Sequence, residues 1–370
     1  MTKRQGIRIV AFLLLVFFLV SFLSQLFKTD DIETMPMFSE FRRLKKDTVD
    51  AVYIGTSGAY DYWIAAQAFD DYGMTVYPLC ANSFPAWLCL TVLKDAVQRQ
   101  HPKLALIDMR MFVAQPYDRP KKMTSASRRV IDALPLFSAA RREAIRRSLP
   151  LINAASSDRQ NALTLMFPIF SDHERWKLNY YSLKDSLCMT PTEYLGYYMK
   201  KVNTIRVTPQ EWVRIPGEQP VDETSEGYLT ELIDYAASAG IELLFIDSPV
   251  VVERDGIRQR LNSLGRKLAG LGAVVLSFNT EENRKLYPFD NTNDFFNKNH
   301  VNYYGATKYT TYLSAWLKEH YDLPDHRNDP LCTPDWQGVN ERIRDQIRIW
   351  EQEGIRKTEL EEEEKEEEPD

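Results

Sequence analysis

The stretch D-A-V-Y-I-G-T-S-G, Asp50–Gly58, is a short apolar run that stops in Gly, Thr, Ser and Gly. Unbroken apolar character over so few residues marks a strand buried on both faces, the habit of parallel sheets. Outward from it the same unit recurs. Asp61–Tyr72 has helical spacing and stops at Gly73, and T-V-Y-P-L (75–79) follows as a second strand. Pro85 opens a helix to about Gln100, His101-Pro102 ends it, and K-L-A-L-I-D-M (103–109) is a third strand. Further on, a helix Glu223–Ala239 halted by Gly240 leads to I-E-L-L-F-I-D (241–247). A helix Asp255–Ala269 then leads to A-V-V-L-S-F (273–278), and Gly305–His320 is the final helix of the unit. Strands separated by helices predict an α/β fold, a three-layer sandwich around a central parallel sheet.

The two ends have a different character. Ile9–Phe27 is nineteen residues without a charge, enough for one membrane-spanning helix and long for a signal-peptide apolar region. Lys3, Arg4 and Arg8 precede it, and Asp30, Asp31 and Glu33 follow with only Lys28 between. The positive-inside bias then puts the N-terminus in the cytoplasm and the rest of the chain outside. No small-x-small cleavage site occurs between Ser21 and Lys28, so the segment is expected to remain as an anchor. The C-terminal residues 359–370 hold nine acidic side chains and one lysine, a net of −8 against −6 for the whole chain. The acidity therefore belongs to the tail, which is expected to be disordered or to extend the preceding helix.

The predicted organisation is an anchor at 1–28, an α/β domain from 48–110 and 222–330, a helical cap inserted at 111–221, a C-terminal helix within 331–358, and the acidic tail. Arg128, Arg129, Arg141, Arg142, Arg146 and Arg147 crowd the insertion; they read as a solvated helix face or as an attractor of an anionic polymer or headgroup. Aromatic interleaving of the nucleic-acid kind is missing, so no nucleic-acid partner is expected. Cys80, Cys89, Cys188 and Cys332 form no C-x-x-C or Cys/His cluster, which argues against a structural zinc site and leaves thiols or disulfides open.

Two residues carry candidate chemistry. Ser57 directly follows the first strand, at the carboxyl end where parallel sheets collect ligands. A serine hydroxyl attacks only if a base removes its proton and that base is itself held in orientation. His300, in D-F-F-N-K-N-H-V-N-Y-Y-G-A-T-K-Y (294–309) just ahead of the last helix, is placed to be that base. The pair points to acyl transfer. Asp247, ending the strand F-I-D, and His173, Arg175 and Trp176, in D-H-E-R-W of the cap, are candidate substrate contacts; an aromatic beside a guanidinium suits a sugar or an anion.

G-T-S after the first strand and N-x-x-H-V-N-Y-Y-G-A-x-K-Y-T before the last helix resemble the SGNH (GDSL-like) hydrolase superfamily. The chain is similar to its membrane-anchored branch, which includes D-alanine transfer and alginate O-acetylation proteins. The similarity extends through L-L-F-I-D-S-P (243–249), F-P-I-F-S-D-H-E-R-W (167–176) and D-L-P-D-H-R-N-D-P (322–330), over roughly residues 48–330. The resemblance implies a flavodoxin-like sheet, Ser57 as nucleophile, His300 as base, and an oxyanion site made by the Ser57 N–H, a glycine (Gly58 or Gly73) and Asn82 of L-C-A-N-S-F-P. The alternative for Asn82 is a helix cap ahead of Pro85. It further implies an extracytoplasmic esterase or O-acyltransferase that needs no cofactor or metal. The substrate would be an acyl ester or a cell-envelope polymer, and a polytopic membrane acyltransferase would be the partner.

One position departs from the family pattern. Three residues before the histidine the motif has aspartate, and here stands Asn297. In a serine triad, loss of that carboxylate can cost about 10⁴ in rate. Three arrangements fit the residues: Asp294 supplies the carboxylate, a Ser57–His300 dyad suffices, or the site binds without catalysis.

Overall fold

The computed structural model describes residues 2–28, 33–113, 120–156, 159–171, 193–199 and 211–367. Five strands form one parallel sheet: β1 Ala51–Gly55, β2 Val76–Cys80, β3 Leu104–Asp108, β4 Glu242–Asp247 and β5 Val274–Ser277. Their order is β2-β1-β3-β4-β5. Helices α1 Lys3–Leu26 and α2 Thr34–Arg43 precede the sheet. α3 Ser57–Tyr60 and α4 Ala65–Tyr72 join β1 to β2, and α5 Ala86–Gln100 joins β2 to β3. The insertion supplies α6 Pro120–Ala133, α7 Ala139–Ala155 and α8 Ala162–Met166. α9 Glu223–Ala239 enters β4 and α10 Asp255–Gly270 enters β5. α11 Glu281–Leu286 and a two-stranded ribbon, β6 Phe295–Asn297 with β7 His300–Val301, lead to α12 Tyr303–His320. α13 Thr333–Trp336 and α14 Val339–Glu367 close the chain.

The apolar runs of the sequence are explained by burial: every residue of β1, β2 and β3 is inside. α5 and α9 pack on each other and on β1 and β4, while α4 packs on α12. β2 is an edge strand, which is why Pro78 is tolerated within it, its missing N–H costing no ladder bond. That edge is covered. Gly196 stands so close that a Cβ there would meet Pro78 Cγ at 2.6 Å, and its φ of +76° also favours glycine. Glu40 of α2 accepts the Gly196 N–H at 2.7 Å and the Tyr77 hydroxyl at 2.9 Å, tying the cover to the strand beneath.

Several boundaries differ from the sequence expectation. The helix expected over Asp61–Tyr72 starts only at Ala65, because the Ile64 N–H donates to Thr310 Oγ1 of α12 at 2.9 Å instead of entering a helical ladder. α12 starts two residues earlier than expected, where the Asn302 side chain accepts the Gly305 N–H at 3.1 Å. α14 runs on through the acidic stretch to Glu367, the helical extension that is one of the two expectations for the tail; glutamate and lysine propagate a formed helix easily. α1 is long and apolar enough to span a membrane.

Of the six arginines that crowd the insertion, Arg142 and Arg146 are exposed, as a solvated face would have them, and the other four are buried or half-buried in its packing. Arg141 is fully buried, donating to Asp132 at 2.8 Å and to the carbonyls of Ile131, Leu134, Leu165 and Met166. Arg128 is buried against Thr164 O and Ser171 Oγ, and Arg146 and Arg147 both bind Glu143. Arg129 bonds the Asn82 carbonyl at 3.2 Å, so α6 reaches the carboxyl edge of β2. These guanidiniums are the internal ties of the insertion. Cys80, Cys89 and Cys332 are buried free thiols; Cys188 lies outside the described residues.

Candidate active site

β1 is the strand at which the chain reverses its direction of travel across the sheet, with β2 on one side and β3 on the other. A crevice opens at such a switch point, beyond the carboxyl ends of the strands. Ser57 is the first residue of α3 at that end of β1, and Thr56 caps the turn by accepting the Gly58 N–H. Thr56 is fixed in turn by Asp108 at the end of β3: its N–H and hydroxyl donate to Asp108 Oδ2 at 2.9 and 2.5 Å. Asp108 Oδ1 accepts the Arg110 N–H at 2.9 Å. Burial pushes the Asp108 carboxyl above its ordinary range, and the Thr56 hydrogen bonds pull it partly back. Gly55 makes this contact possible, since a Cβ there would stand 2.6 Å from Asp108 Cβ and 2.9 Å from Ala59 Cβ. From the other side Ser248 Oγ donates to Gly58 O at 2.6 Å, within a buried hydroxyl cluster that pairs Tyr53 with Tyr309 at 2.9 Å.

His300 is delivered by the ribbon. β6 and β7 flank the two-residue turn Lys298-Asn299, which makes Asn297 and His300 direct cross-strand partners. Such partners hold their Cβ atoms about 4.5–5.5 Å apart, so the spacing of three in N-x-x-H is the register of a tight hairpin. Asn297 Oδ1 accepts the Asn299 N–H at 2.8 Å and lies 3.0 Å from His300 Nδ1. The first contact decides the second. A backbone N–H is a donor only, so the amide atom facing it is the oxygen. The same oxygen therefore requires the proton on Nδ1, and Nε2 is left with its lone pair. Nε2 lies 2.7 Å from Ser57 Oγ. The geometry is that of a base in the right tautomer, within reach of the proton it would take.

Further contacts fix the imidazole. Phe296 stacks on it with ring centres 5.5 Å apart and planes 18° off parallel. The Tyr62 hydroxyl lies 2.8 Å from Pro249 O and 2.7 Å from Asn299 O, pinning the turn to the segment after β4. The Val251 N–H donates to Lys298 O at 2.9 Å. Ser57 and His300 are both half-buried. Tyr62, Asp108 and Ser248 tie down the segments that carry Ser57 and His300, and the sequence does not single them out. The one available signal was that Asp108, like Asp247, ends a strand in I-D.

The remaining candidates fare differently. Asp294 does not take the place of the missing carboxylate: its Oδ2 binds Lys308 Nζ at 2.7 Å and the Asp290 N–H at 2.7 Å, tying the ribbon to α12. Asn82 is exposed at the carboxyl edge of β2, and its side-chain oxygen accepts the Ser83 hydroxyl at 3.1 Å. Neither Asn82 nor Ser83 caps α5, whose N-cap is Pro85 without a side-chain bond. The Gly58 N–H is taken up by Thr56 Oγ1 at 3.3 Å. Gly73 ends α4 ahead of β2, at the amino end of the sheet, and is thereby removed from the oxyanion candidates. His173, Arg175 and Trp176 lie outside the described residues.

Asp247 is buried, with Arg258 at 2.5 and 3.3 Å and Ser277 Oγ at 2.6 Å. Burial alone would raise its carboxyl; the Arg258 guanidinium overrides this and holds it below the ordinary range. Its carboxylate is therefore already committed to Arg258, although it borders a cavity of about 830 Å³ shared with Arg214, Ser277 and Asn279. The walls of that cavity do not include Ser57 or His300, so it is separate from that pair. In comparison with known proteins, the chain matches no family model and no curated protein.

Proposed function

We propose that this chain is a membrane-anchored serine esterase or O-acyltransferase of SGNH type, acting outside the cytoplasm on an acyl ester or a cell-envelope polymer. The observation that carries the proposal is the Ser57 Oγ–His300 Nε2 contact of 2.7 Å with the proton held on Nδ1 by Asn297. The strand order β2-β1-β3-β4-β5 is that of flavodoxin-like sheets and supports the family reading. The charge bias around α1 supports an outward-facing domain.

In this reading Ser57 Oγ attacks the acyl carbonyl while its proton passes to His300 Nε2. The oxyanion takes the Ser57 backbone N–H and the Asn82 side-chain amide. His300 then returns the proton to the departing alkoxide, leaving an acyl-Ser57. In the second half, water or a polymer hydroxyl gives its proton to His300, attacks the acyl carbon and frees Ser57. An acyl donor prepared on the membrane would pass through a polytopic acyltransferase partner, an assignment that rests on the resemblance alone.

Ser57→Ala tests the proposal. Hydrolysis of a short acyl ester should fall by about 10³ or more, as should envelope acylation in cells. Both activities unchanged in the variant would end the enzyme reading. The neutral amide behind His300 favours one second reading, a binding component that keeps the fold without turnover; it predicts that Ser57→Ala changes nothing.

A further inference from the structure

A second group of ligating side chains lies at the opposite, amino end of the sheet, in D-H-R-N-D-P-L-C (325–332). Two successive tight turns bond the Asp329 N–H to His326 O at 3.0 Å and the Cys332 N–H to Asp329 O at 3.1 Å. The two turns bring the side chains of residues 326, 329 and 332 to one side. Asp329 Oδ2 lies 3.1 Å from His326 Nδ1 and 3.6 Å from Cys332 Sγ, and the three donor atoms lie within 4.8 Å of one another. A tetrahedral ion bound at about 2.0 Å to nitrogen and oxygen and about 2.3 Å to sulfur spaces its ligands roughly 3.3–3.5 Å apart. Small shifts of these side chains would reach that spacing.

The surroundings provide a second, independent indication. The far nitrogen of the ring, Nε2, lies 2.6 Å from Asp50 Oδ2, which also accepts the Thr75 hydroxyl at 3.0 Å. A carboxylate behind the remote nitrogen is the usual partner of a metal-bound histidine, because it fixes the tautomer that frees the other nitrogen. Asp329 Oδ1 is occupied by the Leu331 N–H at 2.8 Å, which aims Oδ2 at the other two donors. Cys332 is fully buried, whereas the side chains of His326 and Asp329 are 15% and 31% exposed. The sulfur is thus inside and the carboxylate side open to solvent, giving an ion a way in.

We propose that His326 Nδ1, Asp329 Oδ2 and Cys332 Sγ form a binding site for a divalent ion of the zinc class, with water as fourth ligand. A nitrogen, oxygen and sulfur donor set selects such an ion over calcium or magnesium. On binding, the Cys332 thiol proton is released to solvent, Nδ1 supplies its lone pair, and Nε2–H donates to Asp50. The ion would fasten the closing loop to the residues ahead of β1 and, through the His326 N–H on Gly73 O at 3.0 Å, to the end of α4. Its role is structural and separate from Ser57. H-x-x-D-x-x-C escapes a search confined to Cys/His clusters, which is how the sequence came to argue against zinc.

The test is titration of the full-length, chelator-stripped protein with Co²⁺, followed by displacement with Zn²⁺. One equivalent should give tetrahedral cobalt bands and a thiolate-to-cobalt charge-transfer band. Cys332→Ser should abolish the charge-transfer band, and Asp50→Asn should keep it while weakening Zn²⁺ binding about 10- to 100-fold. Zn²⁺ should also raise the melting temperature of the parent protein, a readout that needs no variant to fold. A protein that binds no stoichiometric Co²⁺ overturns the proposal, as does a charge-transfer band that survives in folded Cys332→Ser.

Discussion

Asn297→Asp is the substitution that interrogates the candidate site most directly. The asparagine oxygen lies 3.0 Å from His300 Nδ1, so a carboxylate oxygen in its place keeps the hydrogen bond and adds a full charge. That charge would stand about 4 Å from the centre of the imidazolium formed in the transition state, worth about 4 kcal/mol at an effective dielectric of about 20. The site is half-buried, and solvent screening takes roughly half of this. A net gain of about 2 kcal/mol is roughly thirtyfold in kcat. The 10⁴ loss known for the reverse change in a serine triad is attributed to the wrong tautomer. Here Asn297 already enforces the right one, so the gain should be tens rather than thousands. The assay is kcat and KM for hydrolysis of a short acyl ester, with Ser57→Ala in both backgrounds to isolate turnover at this serine. Asn297→Ala should move the other way, by about tenfold or more, since the amide oxygen no longer holds the proton on Nδ1. Ser57-dependent turnover indifferent to both changes at Asn297 would refute the orienting role. No Ser57-dependent turnover even in Asn297→Asp would retire catalysis at this site.

Three further outcomes follow from the same contacts. Tyr62→Phe removes the hydroxyl that bridges Pro249 O and Asn299 O; kcat should fall about tenfold with KM little changed and stability lowered by about 1 kcal/mol, and an unchanged kcat would show that the turn needs no such pin. Asp108→Ala strands the Thr56 N–H, the Thr56 hydroxyl and the Arg110 N–H without their acceptor, for a loss of about 3 kcal/mol or more in denaturant melts, whereas Asp108→Asn, which keeps an acceptor, should lose markedly less; equal losses would refute the assignment. Asp247 is held below its ordinary range in the folded protein, so its contribution is complete above about pH 4, the value for an unperturbed carboxyl, and is lost as the pH falls through the folded-state value. The stability gap between the parent and Asp247→Asn should therefore narrow on acidification in denaturant melts, and a gap independent of pH would count against the ion pair.

What the sequence disclosed and what it concealed divide along a physical line. Signals confined to one segment were legible. The apolar runs of β1 to β4 could be read because both faces of each strand are largely covered, and Gly73 and Gly240 marked helix ends because each takes a left-handed turn there. Ser57 and His300 were legible as well, because each stands at a local landmark, a strand end and a helix start. The concealed features are pairings between distant segments: Asp108 under Thr56, Tyr62 on the 298–299 turn, Ser248 on Gly58 O. The arginine run shows the same limit from the other side. Its clustering in sequence looked like surface charge, whereas Arg141 and Arg128 cross-link helix ends and loops that only the fold brings near. Asn297 sits on the line itself. Its spacing from His300 is local and by itself suggests a damaged triad, yet its meaning depends on the Asn299 N–H, which fixes the amide and through it the ring proton. An asparagine so anchored orients the base while withholding the charge. In the acyl-transfer reading such an arrangement holds the histidine ready and turns over more slowly than a carboxylate-backed triad would, which is why Asn297→Asp is the substitution that separates a slow catalyst from a binder.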